Sequence, residues 1–223
     1  MKKISLAFVA LLSVATIFSQ TSDKFTSAMQ SKLAVMDSAR DVNSLRDLSA
    51  AFERIADAEK NQWLPYYYAA LCNVNAGNIA MTGSGAVSMG NNSDKTDPLA
   101  DKAEELLNKA EALSKDNSEI YIVKKMIATL RLMGDPMNRY MTYGPEAAKA
   151  LETAKKLNPD NPRSYVLEGL DKFYTPEQFG GSKEEAKKLF DEALQKYASF
   201  KPESSIHPNW GKNLADNLLA QMK

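Results

Sequence analysis

The sequence predicts an all-α chain: an α-solenoid of about four antiparallel helical hairpins with a C-terminal capping helix. Three observations carry that prediction. Apolar residues recur at helical spacing along the whole chain, no segment alternates apolar and polar residues as a strand would, and one small–large–small pattern returns at intervals.

The N-terminal segment is read first because it does not belong to the fold. Lys2 and Lys3 precede an uncharged apolar run from Ile4 to Phe18, followed by Ser19, Gln20 and a polar stretch through Lys24. That order predicts a cleaved secretory signal over residues 1–19 and a single helical domain over 20–223. The apolar run is shorter than the roughly 20 residues a membrane-spanning helix needs. The one cysteine, Cys72, lies far from the predicted cleavage point, so no lipid-anchored N-terminus is expected. The expected location is the periplasm or the outside of the cell.

The helices follow in order. Phe25, Met29, Leu33 and Met36 make a first stripe, and Leu45, Leu48, Phe52 and Ile55 a second. Leu99, Ala103, Leu106, Ala110 and Leu113 make a third, and Val123, Met126, Ile127, Leu130 and Met133 a fourth. Ser44 with Asp47 suggests a capping box, and Pro65, Pro98, Pro145 and Pro162 suit first helical turns, where a missing N–H costs nothing. Gly77 and Gly134 are expected to stop helices. Trp210, Leu214, Leu218 and Leu219 predict a capping helix over about 209–222.

The repeated pattern is Ala103-x3-Leu107-x2-Ala110, Ala147-x3-Leu151-x2-Ala154 and Ala186-x3-Phe190-x2-Ala193, with a weaker copy at Leu48, Phe52 and Ile55. A small residue lets a neighbouring helix approach, and a large one fills the next groove. Pro159 follows the second copy, and Tyr165 and Gly169 follow Pro159; Tyr66 with Ala70 is a matching pair, and Tyr121 matches the aromatic place. On these residues, roughly 42–200, the chain resembles the tetratricopeptide family, which implies stacked helix–turn–helix repeats. Asn161 to Tyr165 and Tyr174 to Gly181 are similar to exported tetratricopeptide-like proteins of the bacterial envelope, a resemblance that implies fold and location but no activity.

Leu48 to Tyr66, Ala103 to Tyr121 and Ala147 to Tyr165 are each 18 residues apart. Tyr66 to Ala103, Tyr121 to Ala147 and Tyr165 to Ala186 span 37, 26 and 21, where the family's 34-residue period would leave about 16. Extra residues therefore fall within hairpins, which in a stacked array places them on one edge. They are residues 77–97, 134–144 and 174–182. Arg139, Tyr140, Tyr143, Tyr174, Gln178 and Phe179 lie in these insertions and are of the types that make recognition hot spots. They are the candidate binding residues. Loop aromatics also fold back on their own hairpins, Gly180 and Gly181 suit a tight turn, and Ser182 suits an N-cap.

Other chemistry is not indicated. With 28 basic and 28 acidic side chains and no basic stripe, nucleic acid is an unexpected partner. Gly83-x-Gly85 followed by Gly90 misses the phosphate-binding spacing. One histidine, His207, and one cysteine do not make a usual zinc site, and Asn91, Ser93, Asp94 and Asp97 lack calcium-loop spacing. Cys72, flanked by Ala69, Ala70, Leu71 and Val74, reads as a buried thiol. No catalytic residues, metal or cofactor are expected. The reading is a non-enzymatic module that docks a protein or peptide in the envelope, with a small-ligand or glycan-binding protein using the same aromatic edge as the alternative.

Overall fold

The structure, a computed structural model, describes residues 23–82 and 90–222. The predicted signal segment lies outside these residues, as does most of the Gly/Ser-rich centre of the first insertion. Among the described residues all regular structure is helical. The helices are α1 (23–36), α2 (Val42–Glu59), α3 (Trp63–Thr82), α4 (Ser93–Leu113), α5 (Ser118–Gly134), α6 (Pro136–Leu157), α7 (Pro162–Tyr174), α8 (Lys183–Ser199) and α9 (Lys212–Gln221), with a 3-10 turn at Glu177–Phe179 before α8. None of the described helices is long and apolar enough to cross a membrane.

The most apolar helix is the most enclosed. α3 buries residues on every side, among them Leu64, Tyr67, Tyr68, Leu71, Cys72 and Val74, so it packs against α2, α4 and α5 together. Burial also pushes the Cys72 thiol up to about 12, which leaves it protonated. The small–large–small positions sit where the pattern requires: Ala103, Leu107 and Ala110, then Ala147, Leu151 and Ala154, then Ala186, Phe190 and Ala193 are all buried. The main core runs from α1 to α5. A second gathers Val166, Phe190, Tyr197 and Leu218 from α7, α8 and α9. Ile122, Leu151, Ala154 and Leu167 join the two across α5, α6 and α7.

Several boundaries differ from the sequence reading. The N-cap of α2 is Asp41, not Ser44: its Oδ1 accepts from Ser44 N at 2.9 Å. Pro98 and Pro145 lie inside helices, because Ser93 and Pro136 already start α4 and α6. Asn91 Oδ1 accepts from Ser93 N at 2.9 Å, and Pro136 occupies the first-turn place itself. Trp210 precedes α9 rather than lying on it. Ser182 caps α8 as expected, accepting from Glu185 N at 3.1 Å. Gly134 closes α5, but Gly77 does not stop α3. A Cβ at residue 77 would stand 2.5 Å from Leu130 Cδ2, so the glycine is there to let α5 approach α3. Gly77→Ala is expected to cost roughly 1–3 kcal/mol through overpacking, read as a lowered midpoint in thermal or urea unfolding.

The segment between α8 and α9 ties the chain's end to its beginning. Tyr68 donates to Ile206 O at 2.9 Å, Trp210 Nε1 donates to Tyr67 Oη at 2.9 Å, and Gln30 Nε2 donates to Ser205 Oγ at 2.8 Å. The C-terminal segment is thus more than an end cap, because it also bridges α8 to α1 and α3.

Candidate functional site

The predicted binding residues form two groups. Arg139, Tyr140 and Tyr143 are not in a loop: the second insertion is helical, and these residues occupy the first turns of α6. Arg139 reaches across to α4, where Nη1 and Nη2 donate to Asp97 Oδ1 and Oδ2 at 2.6 and 2.7 Å. Its guanidinium lies 5.9 Å from the Tyr143 ring, and Nη1 also donates to Arg131 O. Arg139 is therefore a fastener between helices. The first two insertions do meet, since Asn92 N donates to Gly134 O at 2.6 Å. Tyr174 ends α7, and Gln178 and Phe179 lie in the turn before α8, all exposed, with Tyr174 edge-on to Phe173 at 4.9 Å. No hydrogen bond, ion pair or ring contact among the described residues joins this group to Arg139, Tyr140 and Tyr143. Beside Tyr140, Met137 and Met141 are 85% and 82% exposed, so the start of α6 carries uncovered apolar surface.

The hydrogen bond from Arg139 is the main reason the Asp97 carboxyl titrates below its usual range. A depressed carboxylate pKa contributes stability above the unfolded-state pKa and loses it as pH falls through the folded one. Arg139→Met is accordingly expected to cost about 1 kcal/mol near neutral pH. In melting curves the difference from the parent should shrink below roughly pH 4, where Asp97 is protonated in the unfolded chain.

A cleft opens beside the turns before α3, α5, α7 and α9. It measures about 390 Å³ and takes Trp63 from the α2–α3 junction, Lys115 to Glu119 from the α4–α5 junction, Arg163 from the start of α7, and Phe200 and His207 from the α8–α9 segment. His207 Nδ1 is 2.7 Å from Ser204 Oγ, Nε2 is 3.2 Å from Glu203 Oε2, and the ring meets Trp63 edge-on at 6.0 Å. Glu203 is 85% exposed, so its carboxylate swings away from Nε2 at little cost. Lys115 and Lys201 add cations to the wall, with Asp116, Glu119 and Glu203 as the acids.

The floor of the cleft is a buried ion pair. Arg163 is 1% exposed and its Nε donates to both oxygens of Glu119, at 3.0 and 2.9 Å, while Nη2 donates to Oε1. Phe200 covers the guanidinium at 4.7 Å and Trp210 at 5.9 Å. Asn161 Nδ2 and the Tyr67 hydroxyl also donate to Glu119, at 2.8 and 3.3 Å. Burial opposes the charge on Arg163, yet Glu119 outweighs it and holds the guanidinium pKa above its ordinary value. Burial, with Glu119 second, drives the Tyr67 hydroxyl well above the usual phenol range.

The cleft therefore offers Trp63, Leu157 and Phe200 as apolar surface, a single imidazole whose Nε2 faces the exposed Glu203, and both cations and acids along a largely polar wall. Among the described residues no group of three or more His, Cys, Asp or Glu is placed to hold a bare metal ion. Reading the sequence alone missed this place. The constant 18-residue junctions hinted at a second, regular edge, but the composition of the insertions drew the assignment to the other one.

Comparison with known proteins gives one informative match. The solved structure of the HusA haemophore from Porphyromonas gingivalis aligns with a TM-score of 0.76 and 34% sequence identity, over 89% of this chain and 92% of that one. No protein-family model matches the chain, and no curated protein does. The similar structure is that of a binding protein rather than an enzyme.

Proposed function

Because this chain belongs to the family of the HusA haemophore, we propose that it is an exported protein that binds haem or a closely related porphyrin. The single observation that carries the reading is sequence identity sustained over nearly the whole of both chains. It favours the small-ligand alternative over docking of a protein or peptide, the first reading of the sequence.

The cleft beside His207 is the proposed seat. Porphyrin is flat and apolar, which suits Trp63 and Phe200, and its carboxylates suit Lys115 and Lys201. His207 would hold the iron, since haem iron accepts an imidazole nitrogen as a ligand. With Nδ1 held at Ser204, Nε2 is the nitrogen left for iron once Glu203 moves aside. We further read the helices as stacked tetratricopeptide-like hairpins, supported by the buried small–large–small positions and by Gly169 facing Phe190, where an added Cβ would lie 2.5 Å from the ring.

A second seat has its own support. The α6 start and the α7–α8 turn expose Met137, Tyr140, Met141, Tyr174 and Phe179, and both thioether sulfur and phenolate oxygen ligate haem iron. Arg139, Tyr143 and Gln178 belong to the same proposed edge. Titrating haemin into the chain without residues 1–19 and following the Soret band tests the function itself. Saturable one-to-one binding at micromolar haem or tighter is expected, and a spectrum indistinguishable from free haemin throughout would refute it.

A further inference from the structure

Between α2, α3 and α4 lies another cavity of about 390 Å³ that shares no residue with the cleft. Its apolar lining includes Val42, Ala80 and Leu99, and its charged lining is Arg46, Lys95 and Lys102. No acid lines it. Lys102 is partly neutralised, at 3.0 Å from Glu53 and 3.3 Å from Glu105. Arg46 and Lys95 have no acidic partner among the described residues, and both are exposed. The chain carries equal numbers of acidic and basic side chains. A recess lined by three cations and, among the described residues, by no acid is therefore a local departure from that balance.

We propose that this cavity is a second ligand site, for a molecule with an apolar body and a carboxylate head. Val42, Ala80 and Leu99 receive the body. Arg46 and Lys95 receive the carboxylate, Arg46 with the planar donor geometry that matches both oxygens. Two sources share this chemistry: a fatty acid and a porphyrin dicarboxylate. The site is independent of the haem cleft and does not require His207.

Laurate and a metal-free porphyrin dicarboxylate are titrated calorimetrically into the chain lacking residues 1–19. The variants are Arg46→Glu/Lys95→Glu, Ala80→Phe and His207→Ala. Arg46 and Lys95 are exposed, so the charge-reversed variant is expected to fold normally. At least one ligand should bind saturably. Charge reversal should weaken it tenfold or more, Ala80→Phe should weaken it with the charges intact, and His207→Ala should leave it unchanged. The ligand that responds identifies the source. Saturable binding of neither ligand overturns the proposal, as does an affinity unmoved by both cavity variants. Dodecanol binding as tightly as laurate would refute the carboxylate head. Loss of haem binding in His207→Ala with laurate binding intact separates this site from the cleft.

Discussion

Replacing His207 by alanine is expected to lower haem affinity at least tenfold, about 1.4 kcal/mol, and to move the Soret maximum toward that of unligated haemin. An iron–imidazole bond is directional and replaces a weakly bound water, whereas Trp63 and Phe200 supply stacking that any flat apolar molecule receives. Losing the imidazole should therefore remove the spectral signature completely and the affinity in part. Two companions sharpen the result. Glu203→Gln should preserve or raise affinity, because its carboxylate occupies Nε2 in the free protein. His207→Tyr should recover a distinct, phenolate-type spectrum. Unaltered affinity and spectrum in His207→Ala would remove the cleft as the iron site. The combined Tyr140→Ala, Tyr174→Ala and Phe179→Ala variant would then test the opposite edge.

The parts of this fold that sequence reading found are those fixed by local chemistry. Stripes such as Leu45, Leu48 and Phe52 bury because helical spacing puts them on one face, and Ser182 caps α8 because its hydroxyl is three residues from Glu185 N. The failures share one physical cause, a partner distant in sequence. Gly77 reads as a stop but answers to Leu130 on another helix. Residues 134–144, bounded by Gly134 and Gly144, read as a loop, yet Pro136 starts a helix that runs on through Pro145. Arg139 reads as a recognition residue or as the partner of a local carboxylate, and the carboxylate it meets, Asp97, stands on another helix. The cleft was illegible for the same reason, since Trp63, Glu119, Arg163 and His207 come from four separate junctions.

Arg163 also sets the second large expectation. It follows Pro162 at the start of a helix, a place where an arginine is ordinarily solvated, yet it is 1% exposed. The chain closes over it with Phe200 and Trp210, and among the described residues Glu119 is the one acid paired with it. Removing that carboxylate in Glu119→Ala strands a buried guanidinium and frees Asn161 and Tyr67 of their shared acceptor. The expected cost is about 3–5 kcal/mol. For a chain of this size that corresponds to a melting temperature lower by roughly 10 °C in circular dichroism. Glu119→Gln keeps one acceptor oxygen and the shape, and should lose less. The double change Glu119→Leu/Arg163→Met replaces both charges by apolar volume and should recover most of the loss, because the penalty comes from the unpaired charge rather than from the missing attraction. A double variant no more stable than Glu119→Ala would mean that the pair's hydrogen bonds to Asn161 and Tyr67, and not its charge balance, hold the junction of α5 with α7. A melting temperature unchanged in Glu119→Ala would mean that solvent in the cleft screens the guanidinium, and that the pair is a feature of the ligand site instead of the core.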